Sequence, residues 1–310
     1  MPTLTCDQIK EAVRKYNSEQ TFKHDLALRA ALGTIQSQPP SLGRFVAEVC
    51  VVADWGSLRL QVFPFEDRVA MAGEIERCWP LLQAMRSWRN EDWCIETTIG
   101  PRAVDVLSCT HLLQPMPDAN RQPVFLSKYL HWCINDAFPI WDRNSLKALG
   151  QKDDTTWELY KGWVGQIRQE SVDHRACCLE QMRLPGEGLL RTLDKSLYII
   201  GKRKVDLADC LKIGGKLLSH RSLSKDAWIE WASDVDKWLR NTSGILQSDF
   251  GTLAVQKFVN DVGLVDGSYP VVATEFQQRM LIVNRRLQNL DAIAQRPDAY
   301  LPVDNESTPA

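Results

Sequence analysis

The spacing of apolar residues predicts a helix near the start of the chain. Between Ser41 and Ala53 the apolar residues fall at i, i+3, i+4, i+7, i+8 and i+11, and they are Leu42, Phe45, Val46, Val49, Cys50 and Ala53. Ser41 is suited to cap the start of this helix, because its hydroxyl can accept a free backbone N–H. Gly56 allows a left-handed residue at its end. The segment therefore predicts a helix that buries one apolar stripe.

Helical periodicity continues through most of the sequence and predicts an all-α, or nearly all-α, protein. Further helices are expected over 66–88, 101–113, 125–135, 144–149, 156–169, 174–182 and 189–200. Pro80 is expected to break or kink the first of these. Three prolines within 114–123 predict a loop, and the alternation over 58–62 marks the one candidate strand.

No sharp linker divides the chain, and the best boundary falls near residue 222. We expect a helical domain over 1–221 that holds the cleft, and a C-terminal helical extension over 222–295 that packs on it. The remainder, 296–310, is polar and contains proline, so we expect a flexible tail.

The segment 123–150 carries the most informative pattern. On its first predicted helix, Lys128 is followed at +3, +4 and +7 by His131, Trp132 and Asn135, which places all four on one face. Because a large aromatic residue is uncommon on a purely solvated face, we expect this face to line a cleft.

A second helix follows in this segment and begins at an acidic residue. Pro139 ends the first helix, and Asp142 stands directly before the next one as a natural N-cap. Two packed helices joined by a short reversal can bring the start of the second back to the first turn of the first. We therefore expect Lys128 and Asp142 to face one cleft.

This arrangement of a lysine, an apolar helix, an aromatic-proline turn and an aspartate resembles the helix–hairpin–helix DNA glycosylases. The likeness is closer to bacterial proteins with an 8-oxoguanine DNA glycosylase (OGG) fold, which carry phrases similar to Phe125–His131 and Ile140–Arg143. The Trp55-Gly56 pair is also similar to that family. A glycine hairpin usual before the lysine is replaced here by the stretch 119–123.

The resemblance implies a two-lobed helical fold and an N-glycosylase that flips a modified or damaged base out of double-stranded DNA and leaves an abasic site. The family's lysine corresponds to Lys128 and its aspartate to Asp142. A carboxylate there stabilises positive charge on the sugar. The amine attacks C1′, with strand cleavage as a further option, or it only assists a water molecule.

An aromatic pocket is expected to receive the flipped base. Trp132 is the first candidate, and the other candidate substrate-binding residues are His131, Asn135, Trp55 and Trp141. Some proteins with this kind of fold act in antiviral defence on hypermodified phage bases such as glucosylated hydroxymethylcytosine. The resemblance thus extends to that substrate as a hypothesis.

A basic stretch offers a candidate surface for DNA. Residues 191–225 contain nine Lys or Arg and three Asp, a net charge of +6 in a chain whose formal charge is −2. Two glycine-containing phrases, 201–204 and 213–216, are candidates for a phosphate clamp, although a solvated helical face accounts for the charges equally well. The candidate DNA-binding residues are Arg143, Lys202, Arg203, Lys204, Lys212 and Lys216.

Composition limits the remaining possibilities. The chain has 310 residues with 44% hydrophobic residues, no long apolar stretch and no apolar core behind its first charges, so we expect neither a membrane span nor a signal peptide. Nine scattered cysteines are expected to be reduced thiols in a cytoplasmic protein. Cys177 and Cys178 follow His174, but no zinc ligand set can be assembled. We expect no cofactor, no metal and no obligate protein partner.

Two other functions compete with the glycosylase. Arg168 and His174 fit the loose Arg-to-His spacing of the all-helical HEPN ribonucleases, in which the pair acts on a phosphodiester. Alternatively, Lys128 and Asp142 are structural, and the chain is a helical nucleic-acid-binding or protein-binding module without enzymatic activity.

Overall fold

The computed structural model describes residues 4–56, 63–86, 122–136, 138–152, 157–181, 188–219, 225–260 and 275–301. These residues are almost entirely helical and include no strand, in agreement with the predicted all-α class. The helices are α1 (Cys6–Ser18), α2 (Gln20–Gln36), α3 (Leu42–Trp55), α4 (Phe65–Met85), α5 (Gln122–Tyr129), α6 (Arg143–Ala148), α7 (Trp157–Asp173), α8 (Arg175–Gln181), α9 (Leu189–Leu218), α10 (Lys225–Phe250), α11 (Thr252–Phe258) and α12 (Glu275–Gln295). A π-helical turn (Leu130–Ile134) continues α5, and a 3-10 turn (Pro297–Tyr300) follows α12.

The start of α3 is as predicted, whereas its end differs. The Ser41 hydroxyl accepts the backbone N–H of Arg44 at 3.3 Å and caps the helix. Gly56 has φ −71°, so it is not the left-handed residue that we expected. A glycine at this position serves a different purpose, because Lys128 packs against it and a side chain would crowd the lysine.

Three other expectations also need comment. Pro80, expected to break or kink its helix, lies inside α4, and the helix continues from Phe65 to Met85 without a break. Helix α5 begins at Gln122, within the segment expected to be a loop. The predicted strand at 58–62 and the predicted helix at 101–113 lie outside the described residues.

The chain divides into two compact units, residues 1–202 and 203–310. The division falls inside α9, earlier than the boundary that we expected near 222. The apolar pattern of α9 contributes to a different core on each side of Lys202. No described helix has the length and apolar character needed to cross a membrane.

In the first unit, α3 packs against α2 and α4 and also contacts α5. The core includes Phe45, Val49, Trp79, Phe125 and Leu126. A polar link runs through this core. Glu48 is fully buried, accepts a hydrogen bond from Arg44 Nε at 3.0 Å, and accepts another from the Tyr129 hydroxyl at 2.7 Å. It therefore joins α3 to α5 one residue after Lys128.

The second unit has its own core, which includes Trp238, Phe250, Phe258, Val283 and Leu290. Trp238 Nε1 donates to the Cys210 carbonyl oxygen at 2.9 Å and so fastens α10 to α9. The 3-10 turn at Pro297–Tyr300 lies within the stretch that we expected to be a flexible tail, and residues 302–310 lie outside the described residues.

One cysteine expectation is wrong. Cys6 and Cys177 form a disulfide that joins α1 to α8, so not all nine cysteines are free thiols. The partners are 171 residues apart in sequence, and spacing alone gave no sign that the fold brings them together. The free cysteines of the described chain are Cys50, Cys78, Cys133, Cys178 and Cys210.

Candidate functional site

The chain from α5 to α6 turns back on itself and brings Lys128 and Asp142 to one place. The Ser127 hydroxyl, fully buried, accepts the backbone N–H of Trp141 at 3.0 Å. This bond joins the residues that directly precede Lys128 and Asp142. Asp142 has an extended backbone and caps α6, because its Oδ1 accepts the Ser145 N–H at 2.9 Å.

Lys128 and Asp142 line the same cavity, here called the Lys128 cavity, which has a volume of about 340 Å³. All of its lining residues belong to the first unit. They come from α1, α2, α3, α5, α6 and α9 and from the chain beside these helices, and they are Tyr16, His24, Trp55, Gly56, Lys128, Ile140, Asp142, Arg143, Asn144, Arg191, Asp194 and Tyr198. The predicted meeting of the amine and the carboxylate is therefore seen in the structure.

Lys128 is held between an aromatic ring and a glycine. Its residue is 8% exposed, and its Nζ lies 5.5 Å from the ring centroid of Trp55. A Cβ at position 56 would lie 3.3 Å from the Lys128 Cδ and 3.4 Å from its Nζ. The Trp55-Gly56 pair thus shapes the space that the lysine side chain occupies.

One residue of the cavity lining is a buried arginine with two carboxylate partners. Arg191 is 1% exposed and forms ion pairs with Asp25 and Asp194. Its Nη2 also donates to the Tyr16 hydroxyl at 2.7 Å. The Trp55 Nε1–H donates to Asp25 Oδ1 at 3.1 Å, so the aromatic wall and the arginine share one partner. This network orders α1, α2, α3 and α9 around the cavity.

Asp194 is a site residue that sequence analysis missed. Burial raises the pKa of its carboxyl to about 7, with Arg191 acting in the opposite direction. The charge of Asp142 raises this pKa further, whereas Lys128 lowers it, so the three groups interact electrostatically. The sequence did hold a signal, because Arg191 and Asp194 stand three residues apart within an apolar stretch, but we counted them only as part of a charged surface.

The predicted polar face of the α5 segment is divided between two cavities. His131, Trp132 and Asn135 line a second cavity of about 420 Å³, here called the Trp132 cavity, and Lys128 does not. The physical reason is the π-helical turn, in which the Asn135 N–H donates to the Leu130 carbonyl oxygen at 2.8 Å. The wider turn rotates these side chains away from the direction that an α-helix predicts.

Two predicted substrate contacts, Trp132 and His131, line the Trp132 cavity and make defined contacts within the fold. The Trp132 ring contacts the Trp55 ring edge-on, with centroids 5.2 Å apart, and lies 4.8 Å from the Arg191 Cζ. It therefore supports residues that line the Lys128 cavity. His131 is 3% exposed, donates from Nδ1 to the Phe138 carbonyl oxygen at 2.8 Å, and has a pKa well below its usual value because it is buried.

Trp141, another predicted base contact, lines neither cavity. It is 1% exposed and packs against the Tyr160 ring at 5.2 Å. Trp141 is thus part of the core, and its backbone N–H bonds to Ser127. Trp55 is the one predicted tryptophan found in the Lys128 cavity.

The predicted DNA-binding residues fall in different environments. Arg143 is exposed and lines the Lys128 cavity, and Lys204, Lys212 and Lys216 are exposed on α9. Lys202 is half-buried, and Arg203 is 5% exposed with its Cζ 5.7 Å from the Phe250 ring centroid. Both glycine phrases lie inside α9, where peptide groups bond within the helix, so the predicted clamp of backbone amides does not form.

Arg168 and His174, the pair of the ribonuclease alternative, lie away from the two cavities described above. His174 lies 3.5 Å from Glu170 Oε2, and burial raises the pKa of Glu170. Neither Arg168 nor His174 lines the Lys128 cavity or the Trp132 cavity. Across the described ranges, His, Cys, Asp and Glu do not gather in groups of three or more that could hold a metal ion.

Known proteins offer no further guide to this cavity. Comparisons with protein families, with curated proteins and with solved structures find no match to the chain.

Proposed function

We propose that this protein is a DNA N-glycosylase that excises a modified base and leaves an abasic site. One observation carries the proposal: Lys128 and Asp142 line a single cavity whose wall includes Trp55. An amine, a carboxylate and an aromatic surface are the groups that base excision uses. The resemblance of the 123–150 segment to the glycosylases agrees with this choice.

The two charged groups have complementary roles in the proposed reaction. Breaking an N-glycosidic bond builds positive charge on the sugar, and the Asp142 carboxylate stabilises that charge. The Lys128 amine attacks C1′ and forms a covalent adduct with the sugar. Trp55 offers a face on which the flipped base stacks. This contact offsets part of the free energy needed to unstack the base from the duplex.

The cavity suits a base that carries a polar substituent. Its volume of about 340 Å³ lies within the usual range of ligand pockets, about 300–1,000 Å³. Arg191, Asp142 and Asp194 supply donors and acceptors along its lining. We therefore keep glucosylated hydroxymethylcytosine of phage DNA, and hence antiviral defence, as the substrate hypothesis.

The DNA duplex is proposed to contact the basic residues that remain accessible. Arg143 follows Asp142 directly and is exposed beside the cavity, where its guanidinium can bind a phosphate near the flipped nucleotide. Lys204, Lys212 and Lys216 are separate candidates for phosphate contacts within the second unit, and such contacts would not depend on base sequence.

The test is base release from a panel of duplexes. The DNAs are unmodified, 8-oxoguanine, uracil, alkylated and glucosylated hydroxymethylcytosine substrates, and alkali-labile sites are counted. We expect abasic sites with at least one modified DNA, and losses of at least about 100-fold in Asp142→Asn and Lys128→Gln. Lys147→Gln, a half-buried lysine of α6 that lines neither cavity, is the matched control.

The Asp142 variants separate catalysis from helix capping. Asparagine caps a helix about as well as aspartate, whereas alanine costs about 1 kcal/mol of folding free energy. Asp142→Asn should therefore keep its stability and lose base release, and Asp142→Ala should lose both. Full base release by Asp142→Asn, or no abasic sites from the wild-type protein on any DNA, contradicts the proposed function.

A further inference from the structure

Asp194 is a third charged group in the Lys128 cavity, and its surroundings suit the movement of a proton. It lies near the start of α9, lines the cavity together with Lys128 and Asp142, and is 7% exposed. Because bulk water has little access to it, a proton on this carboxyl exchanges most readily with groups inside the cavity.

The contacts of Asp194 fix one of its oxygens and leave the other available. Arg191 Nη1 donates to Asp194 Oδ2, and Asp25 and the Tyr16 hydroxyl occupy the Nη2 of that arginine. Across the described residues, Asp194 Oδ1 takes part in no hydrogen bond. The carboxyl is thus held by one side while its second oxygen remains for the cavity.

Asp142 differs from Asp194 in both respects. Its Oδ1 already accepts the Ser145 N–H, and its residue is more exposed than Asp194. These features suit a carboxylate that is held in place beside a developing positive charge. Two carboxyl groups in unlike surroundings commonly divide such roles between a proton carrier and an ionised group.

The charged and titratable groups around Asp194 lie on or beside α1, α2, α5, α6 and α9. The charges of Asp142 and Asp25 raise the pKa of Asp194. The charges of Arg191 and Lys128 lower it. A carboxyl with a pKa of about 7 accepts and donates a proton with similar ease at neutral pH. The other titratable groups of the lining are Tyr16, His24, Arg143 and Tyr198.

We propose that Asp194 is the proton-transfer residue of the Lys128 cavity, a role that rests on the proposed base excision. The Asp194 carboxylate takes one proton from the Lys128 ammonium, and the neutral amine attacks C1′. The Nζ–C1′ bond forms, the glycosidic C1′–N bond breaks, and its electron pair leaves with the base. Asp194 then returns its proton to the leaving base nitrogen, so protons and charge balance without another reactant.

A first experiment tests the proton site without any DNA. Protein labelled with ¹³C at the aspartate carboxyl carbons is titrated by NMR from pH 4 to 9. We expect one carboxyl to titrate near neutral pH and its signal to vanish in Asp194→Asn. Its midpoint should fall in Asp142→Asn, because a negative charge is lost, and rise in Lys128→Gln, because a positive charge is lost.

A second experiment measures the pH dependence of base release in single turnovers. The wild-type rate should change near the Asp194 midpoint, and Asp194→Asn should lose that change and at least about 100-fold in rate. Asp194→Glu should regain part of the rate. Asp25→Asn is the matched control, since it removes the other carboxylate of Arg191 from outside the cavity lining. It should keep a pH-dependent rate with a lower midpoint, because the Asp25 charge also raises the pKa of Asp194.

The outcomes distinguish this role from the proposed function. If Asp194→Asn releases bases with the wild-type pH profile, or if no carboxyl titrates near neutral pH, the role of Asp194 is overturned while base excision stands. If the wild-type protein releases no base from any DNA, the proposed function fails and this role with it. If Asp25→Asn loses the pH response as Asp194→Asn does, the effect belongs to Arg191 and the role is overturned.

Discussion

Gly201 of α9 lies against the backbone of Asn144, the second residue of α6. A Cβ built at position 201 would overlap the backbone carbonyl of Asn144, so only glycine fits there without a shift of the backbone. Because Asn144 follows Asp142 by two residues, the absence of a side chain at Gly201 sets where the cap of α6 can lie. The helix that carries Arg191 and Asp194 therefore also positions Asp142.

Gly201→Ala should displace the start of α6 and weaken the protein. Overpacking of this kind costs about 1–3 kcal/mol, and base release should fall as Asp142 moves. Gly215→Ala in the same helix is the control, because a Cβ there meets nothing within 4 Å and should stabilise by roughly 0.5–1 kcal/mol. Urea unfolding measures both, and equal stabilities for the two variants would refute this account of Gly201.

Ser127→Ala should weaken the link between the two segments that carry Lys128 and Asp142. The substitution leaves the Trp141 N–H buried without its acceptor, which costs about 1–3 kcal/mol. Ser37→Ala removes an exposed hydroxyl bond to the Thr34 carbonyl oxygen and should change stability by less than about 0.5 kcal/mol. Thermal unfolding and base release are the measurements, and unchanged values for Ser127→Ala would argue against the bond as a positioning contact.

Gly56→Ala should affect activity more than stability. The new methyl group would lie 3.3 Å from the Val52 carbonyl oxygen, a tight contact with a modest cost to folding. It would also press on the flexible Lys128 side chain, which can shift more easily. A displaced nucleophile reacts slowly, and a loss of up to about 100-fold in base release is expected. Gly43→Ala in α3, the helix that ends just before Gly56, has open space at Cβ and serves as the control. The prediction fails if the two variants react at equal rates.

Asp194 should make part of the unfolding free energy depend on pH. Its pKa is about 7 in the folded protein against a reference value of 3.8, so the folded state holds a proton that the unfolded chain has lost between these values. Stability from this group is therefore present below about pH 4 and declines as pH rises to about 7. Urea titrations of wild-type and Asp194→Asn proteins should differ in slope over that interval, with Asp209→Asn as an exposed control on α9. Equal slopes would contradict the assignment.

The Cys6–Cys177 disulfide should stabilise the first unit measurably. It closes a loop with a sequence separation of 171, for which chain entropy gives at most about 5 kcal/mol. Reductant, or Cys177→Ala, should lower the unfolding free energy, while reductant should have no further effect on the variant. Cys178→Ala, which removes a neighbouring free thiol, should retain the response. Intact mass under denaturing conditions with and without reductant shows whether the bond is present.

Local rules predicted the elements of this site but not all of its neighbours. Ser41 and Asp142 cap their helices as expected, because capping depends on a few adjacent residues. His131 and Trp132 are turned away because the prediction assumed an uninterrupted α-helix, and a π-helical turn leaves no clear mark in the sequence.

Asp194 was missed for a different reason. Its special character comes from burial and from groups on other helices, which no single segment shows. The same is true of the disulfide and of Gly201, since each depends on a contact between distant parts of the chain. Sequence pattern alone therefore located the amine and the first carboxylate, and the tertiary structure was needed to find the second carboxylate.

The disulfide also makes a covalent ring of the chain between Cys6 and Cys177. A protease that cuts one peptide bond anywhere within that ring leaves both fragments attached, and a non-reducing gel would show a single band. Lys128 and Asp142 belong to the ring, whereas Arg191 and Asp194 lie beyond it. A cut after Cys177 would thus divide the lining of the Lys128 cavity into two pieces that no covalent bond holds together.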